Sequence, residues 1–332
     1  MVNTLGGSWV WSLTQRCCWG FILLLSPFES NGWGFLAHRY INESAVYLLP
    51  DPLRSVFLPR VAQLREQAVA ADRRRAWDKE EGPRHFLDLD RWKDSVHLPE
   101  SWAEAVSCYG EDSLRAHGIL PWHIERTYKR LVGAFQTRDL NSVLRIAGDL
   151  GHYLGDAHVP LHLCSNYNGQ FTKQHGIHAL LETRIPEYFM KGMALPLRRP
   201  RWISSVRSRI WEVVHESAAP LDRVFACEKD CRARVPADLQ TAPVVQGNRL
   251  QRKESMAFVG CYHDCLGGLM TDRLAQAICN LADFWFSAWV EAGQPHWTEP
   301  QPVGPEPPSL RTAETATPTQ TPASHWSDCA ED

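Results

Sequence analysis

Residues 120–135 read LPWHIERTYKRLVGAF and residues 140–154 read LNSVLRIAGDLGHYL, and both place apolar side chains three and four positions apart. Leu120, Ile124, Tyr128, Leu131 and Phe135 mark one such face; Leu140, Val143, Ala147, Leu150 and Leu154 mark the next. A period near 3.6 sets each group on one stripe of an α-helix, and such a stripe must bury against another element. Pro121 suits the start of the first helix, where its missing N–H removes no internal bond. The same spacing recurs over 177–190, 202–225 and 253–292, the last with a break at Gly267-Gly268, while alternating strand-like runs are scarce. The reading is all-α, one multi-helix domain over 33–294. A chain of 332 residues that is 44% hydrophobic can bury one sizeable core.

The two ends differ from this middle. Arg16 precedes an apolar run at 17–25, CCWGFILLL, which is too short to span a bilayer and reads as a signal segment occupying 1–32. Export is the expectation, with an uncleaved membrane anchor as the alternative. From 295 to 332 the chain is rich in proline and threonine and poor in apolar residues, so it reads as a disordered tail. In an oxidising compartment Cys227, Cys231, Cys261 and Cys265 would form disulfides, in any of three pairings, or they would hold a structural zinc. A net charge of -3 gives no general footprint for nucleic acid, and the absence of Gly-rich phosphate cradles excludes P-loop enzymes, kinases and Rossmann dehydrogenases.

The chemistry concentrates at His152-Tyr-Leu-Gly-Asp156 and, beyond Pro160, at His162, followed by His178-Ala-Leu-Leu-Glu182. A histidine and a carboxylate four apart project from one helical face and can converge on a metal. One such pair alone is an ordinary surface contact; two pairs with His162 inside thirty-one residues point to metal.

These motifs resemble the superfamily of bacterial zinc-dependent phospholipases C and zinc-dependent single-strand nucleases. Trp33-Gly-Phe-Leu-Ala-His38, Asp72 and His85-Phe86-Leu-Asp88-Leu-Asp90 fall in that family's order ahead of the two pairs. The resemblance implies an all-helical fold with about three zinc ions in a cleft between helices. It implies one zinc on Asp72, His85, His152 and Asp156, and a second on His162, His178 and Glu182. The third would take the amino and carbonyl groups of a mature N-terminal Trp33, with His38 and Asp156 as a bridging carboxylate. The nucleophile would be a zinc-bridging hydroxide attacking phosphorus in line, with Asp72 orienting the water. Imidazole and carboxylate donors suit zinc, and sites short of four protein ligands leave positions for water and substrate.

His178 is preferred to His175 because only His178 has a partner four residues on. His158 reads as surface or as support for the ligands, and Asp149, three before His152, as an acceptor for that imidazole's other N–H or a solvated carboxylate. Phe86, Asn166 and His123 are candidate substrate contacts, with core packing as the alternative for Phe86 and His123. The Trp33-to-His38 spacing resembles the nucleases and 3′-nucleotidases, whereas Glu182 and the double-acidic motif after His85 resemble the phospholipases. The favoured expectation is a secreted phospholipase C-like enzyme with no obligate protein partner. A nuclease acting on single-stranded nucleic acid is the alternative, and a non-catalytic secreted zinc-binding protein is a third reading.

Overall fold

The computed structural model describes residues 34–92, 98–246 and 249–297. The expected signal segment, Trp33 and most of the proline-rich tail lie outside them. The chain folds as a mostly helical single domain with one small antiparallel hairpin. Its first half comprises α1 (Phe35–Leu48), α2 (Leu53–Phe57), α3 (Val61–Gln67), α4 (Ala70–Arg74), α5 (Trp102–Tyr109) and α6 (Glu111–Ala116). Then come α7 (Leu120–Gln136), α8 (Leu140–Ala157), α9 (Ile177–Ala179), a π-helical turn (Leu180–Arg184) and α10 (Ile185–Phe189). The remainder is α11 (Val206–Ala218), α12 (Leu221–Arg234), strands β1 (Thr241–Gln246) and β2 (Arg249–Glu254), α13 (Met256–Leu266) and α14 (Leu269–Glu291).

The two deciding stretches become α7 and α8, which pack against each other and against α1, α3 and α14. Asp139 caps α8, its carboxylate accepting from the Ser142 N–H at 3.1 Å. Helix α8 is buried nearly all round, the signature of a central helix. Asp149, His152 and Asp156 are therefore carried into the interior with it. Glycines let neighbours approach: a Cβ on Gly151 would lie 1.8 Å from Asn42 Oδ1, and one on Gly155 would lie 2.9 Å from His38 Nδ1. Asn42 uses that proximity to donate to the Gly148 and Leu64 carbonyls, each at 3.2 Å. Phe57, Phe135 and Trp285 form an aromatic cluster beside this contact, with Trp285 Nε1 donating to Ala147 O at 3.1 Å.

Three expected helices differ in detail. Residues 202–205 are not helical, because Ser205 caps α11 by accepting from Ser208 N–H, and the helix stops at Ala218 before Pro220 begins the next. Residues 253–254 end strand β2 rather than begin a helix; Ser255 caps α13 through Phe258 N–H at 3.2 Å, and Lys253 pairs with Ala242 instead. The stretch 177–190 is helical but interrupted by the π turn. At the far end, Trp289 Nε1 donates to Pro295 O at 3.0 Å and Trp297 Nε1 to Arg138 O at 3.3 Å, so 295–297 pack on the domain rather than belonging to the tail.

The four cysteines pair as Cys227–Cys265 and Cys231–Cys261, tying α12 to α13. Each bridge joins one residue of α12 to one of α13, and together they leave none of these four thiols for a structural zinc. Among the described residues, no helix is long and apolar enough to cross a membrane.

Candidate metal centre

Five histidines and three carboxylates from seven elements meet in one buried cleft. Helix α1 supplies His38, α4 Asp72, the 3-10 turn Gly82–His85 supplies His85, and α8 supplies His152 and Asp156. Helix α8 ends at Ala157, two residues before the Val159-Pro160 step, and the chain turns so that His162 follows on the 3-10 turn Pro160–Leu163. His178 stands on α9 and Glu182 on the π turn, a geometry that recurs at functional sites.

Asp156 is the hub. Its Oδ1 lies 3.4 Å from His38 Nε2 and 4.0 Å from His162 Nε2, while Oδ2 lies 2.9 Å from His85 Nδ1 and 3.3 Å from His152 Nε2. Asp72 Oδ1 sits 4.0 Å from His85 Nδ1 and 3.8 Å from His152 Nε2. Glu182 spans the remaining pair, 3.2 Å to each of His162 Nε2 and His178 Nε2. Three groups therefore qualify by geometry as metal sites: His38-His152-Asp156, Asp72-His85-His152 and His162-His178-Glu182.

The donor set fits zinc. Two ligand atoms each about 2 Å from a tetrahedral zinc stand about 3.3 Å apart, the range seen within these groups. Buried polar atoms without a hydrogen-bond partner gather on the same residues: both nitrogens of His38, both oxygens of Asp72 and Glu182, Asp156 Oδ1, and Nε2 of His162 and His178. Buried polar groups are almost always satisfied, so this concentration marks atoms shaped for a cation. The opposite ring nitrogens are fixed from behind. His152 Nδ1 donates to Ala68 O at 2.8 Å, His162 Nδ1 to His85 O at 2.5 Å and His178 Nδ1 to Tyr167 O at 3.2 Å, which turns each Nε2 inward.

Electrostatics follow the same grouping in the metal-free protein. Burial opposes charge on His152 and His162, yet the carboxylates of Asp156 and Asp72, and of Glu182 and Asp156, raise them to about 9. Burial likewise works against ionised Asp156 and Glu182, but the neighbouring imidazoles hold Asp156 well below the usual range and Glu182 at about 2. His38 is lowered, first by burial and then by His152.

The structure brings together eight of the nine expected ligands; Trp33 lies outside the described residues. Its neighbour Gly34 donates its N–H to Glu182 O at 3.0 Å, which brings the residue before α1 beside the cleft. His175 is exposed and apart from the cluster. Phe86 lines a cavity of about 230 Å³ at the cleft mouth, together with Arg75, Asp88, Leu161, Ser165 and Tyr167. The other supporting roles need correction. Asp149 does not touch His152, whose Nδ1 is already satisfied by Ala68; it accepts from Gln67 Nε2 at 2.8 Å and Arg74 Nη1 at 3.0 Å. Asn166 closes its own loop, bonding Thr172 Oγ1 and Phe171 N–H, and does not line the cavity. His123 is buried edge-on against Tyr153 and is likewise away from the cavity. His158 is a satisfied core residue, bonded to Leu154 O and Asn280 Nδ2.

Glu81 is the residue the sequence reading missed. It is fully buried and faces His85 Nε2 from 3.5 Å. Its spacing of four to His85 is the same signal used for the other pairs, but Gly82-Pro83 between them made a shared helical face unreadable.

The chain matches no protein-family model and no curated protein sequence.

Proposed function

We propose that this protein is an exported, zinc-dependent phosphoric ester hydrolase of the phospholipase C and single-strand nuclease type. One observation carries the reading: the two oxygens of a single buried carboxylate, Asp156, face different sets of imidazoles, as a ligand shared between ions must. A closed structural site has no use for that arrangement, and structural zinc is usually held by thiolates. Zinc bound there supplies charge to polarise a phosphoryl group and lowers the pKa of an attacking water. Asp72, His85, His152, Asp156, His162, His178 and Glu182 would hold it with His38, and the Trp33 amino group would complete the set if processing exposes it.

The remaining work falls to the cavity wall. Arg75, next to Asp72 at 3.9 Å, places positive charge where an anionic ester enters. Phe86, Leu161 and Tyr167 give the wall an apolar side that suits a phospholipid headgroup region, with single-stranded nucleic acid as the competing substrate. The two disulfides accord with an oxidising destination.

The test is metal analysis of protein beginning at Trp33, alongside hydrolysis of phosphatidylcholine and of single-stranded DNA. The expected result is about three zincs per chain with release of phosphocholine. DNA cleavage in its place would move the protein to the nuclease branch. Zinc with no turnover on any phosphate ester would leave a binding protein, and chains free of zinc would refute the proposal.

A further inference from the structure

We infer that Glu81 is a positioning residue for the metal centre, acting through His85. The inference rests on the metal reading above, and on geometry independent of which ester is cleaved. His85 enters the cleft with Nδ1, 2.9 Å from Asp156 Oδ2 and 3.0 Å from His152 Nε2. Unlike the other three ring anchors, its rear nitrogen meets no backbone carbonyl; it faces Glu81 Oε1 at 3.5 Å. A histidine that binds metal through one nitrogen needs an acceptor at the other to fix its tautomer and ring angle. Glu81 is the carboxylate available for that on the rear side.

Glu81 is itself held in place by a dedicated frame. Arg84 Nη1 and Arg74 Nε bind its Oε2, the latter at 3.3 Å, and the Tyr153 hydroxyl donates to Oε1. Arg74 is anchored in turn by Asp149 at 3.0 Å and reaches the Tyr153 hydroxyl at 3.1 Å. Asp149 and Tyr153 lie on α8, the helix that carries His152 and Asp156. The frame therefore locks the 3-10 turn bearing His85 to the helix bearing the shared carboxylate. A buried charge surrounded by two arginines and a phenol is a costly construction for packing alone; it holds a carboxylate oxygen 3.5 Å from His85 Nε2, a buried nitrogen with no hydrogen-bond partner in the metal-free protein.

The experiment is zinc affinity by chelator competition on the full protein, in a double-mutant cycle of Glu81→Gln and His85→Ala, with the absorption spectrum of the cobalt-substituted protein as a second readout. Glu81→Gln is expected to weaken zinc binding about 10–100-fold and to shift the cobalt spectrum, and to cost nothing further once His85 is absent. Equal loss in both backgrounds, or unchanged affinity and spectrum, overturns the inference. Should Glu81→Gln fail to fold with two arginines unpaired, Glu81→Asp keeps their charge partner while withdrawing from His85. It is expected to fold and show the same affinity loss, and wild-type affinity in Glu81→Asp overturns the inference. Wild-type protein that binds no zinc would refute the metal reading, whereas zinc-replete wild type with an indifferent Glu81 refutes this inference alone.

Discussion

Asp156 and His123 show how one environment, deep burial, leads to opposite chemistry. Asp156 is surrounded by imidazoles and stays ionised; Asp156→Ala should cost more than one zinc per chain and at least about 10³-fold in turnover, equivalent to about 4 kcal/mol. Metal analysis with steady-state kinetics checks it, and full turnover would remove the shared-ligand assignment. His123 has no such partner: burial pushes it down to about 3, and its Nδ1 has no hydrogen-bond partner. A histidine whose folded pKa lies below its unfolded value favours folding fully above about 6.5 and loses that contribution as pH falls toward the folded value. His123→Phe, which keeps an aromatic ring beside Tyr153, should therefore recover about 2 kcal/mol of stability at pH 5 relative to its effect at pH 8. Urea titrations at the two pH values measure it, and parallel curves would show that His123 does not titrate on unfolding. The residue scale was the most legible in sequence where ligands came in pairs four apart on one helix. It was least legible where the partner came from a distant backbone: Ala68 O, from outside α8, occupies the nitrogen that Asp149 was expected to bind.

At the scale of elements, the cleft depends on how closely α1 and α8 approach. Gly151 carries that contact, since any side chain there meets Asn42 and Leu281. Gly151→Ala should destabilise the fold by about 1–3 kcal/mol and also loosen zinc binding, because α1 carries His38 against α8. Thermal melts of chelated and zinc-loaded protein separate the two effects; a variant as stable as wild type would show that α1 yields without penalty. The periodic helices α7, α8 and α14 could be read directly, because their burial is set by their own pattern. The hairpin could not: Pro243 and the charged Arg249-Leu-Gln-Arg-Lys-Glu254 obscure a strand alternation that is realised by pairing across the turn. The π turn was equally hidden, since its extra residue shows as neither period.

The whole molecule is closed at its C-terminal side by two disulfides. Cys227 and Cys265 are 38 residues apart, which in the chain-entropy account is about 4 kcal/mol of unfolded-state restriction, with the second bridge nested inside the first. Reduction of both should lower the melting temperature by about 10 °C, read by calorimetry with and without reductant. An unchanged melt would mean that α12 and α13 hold together by packing alone.

The cleft also changes sign when it is loaded. Asp72, Asp156 and Glu182 face five imidazoles, and in the metal-free cleft the protonated His152 and His162 offset only part of that negative charge. Three divalent ions on the same residues would reverse that charge. Attraction for the substrate would then come from what the chain has bound, added to Arg75 at the cleft mouth. On a chain whose formal net charge is -3, recognition and catalysis would then be gained and lost together with the metal.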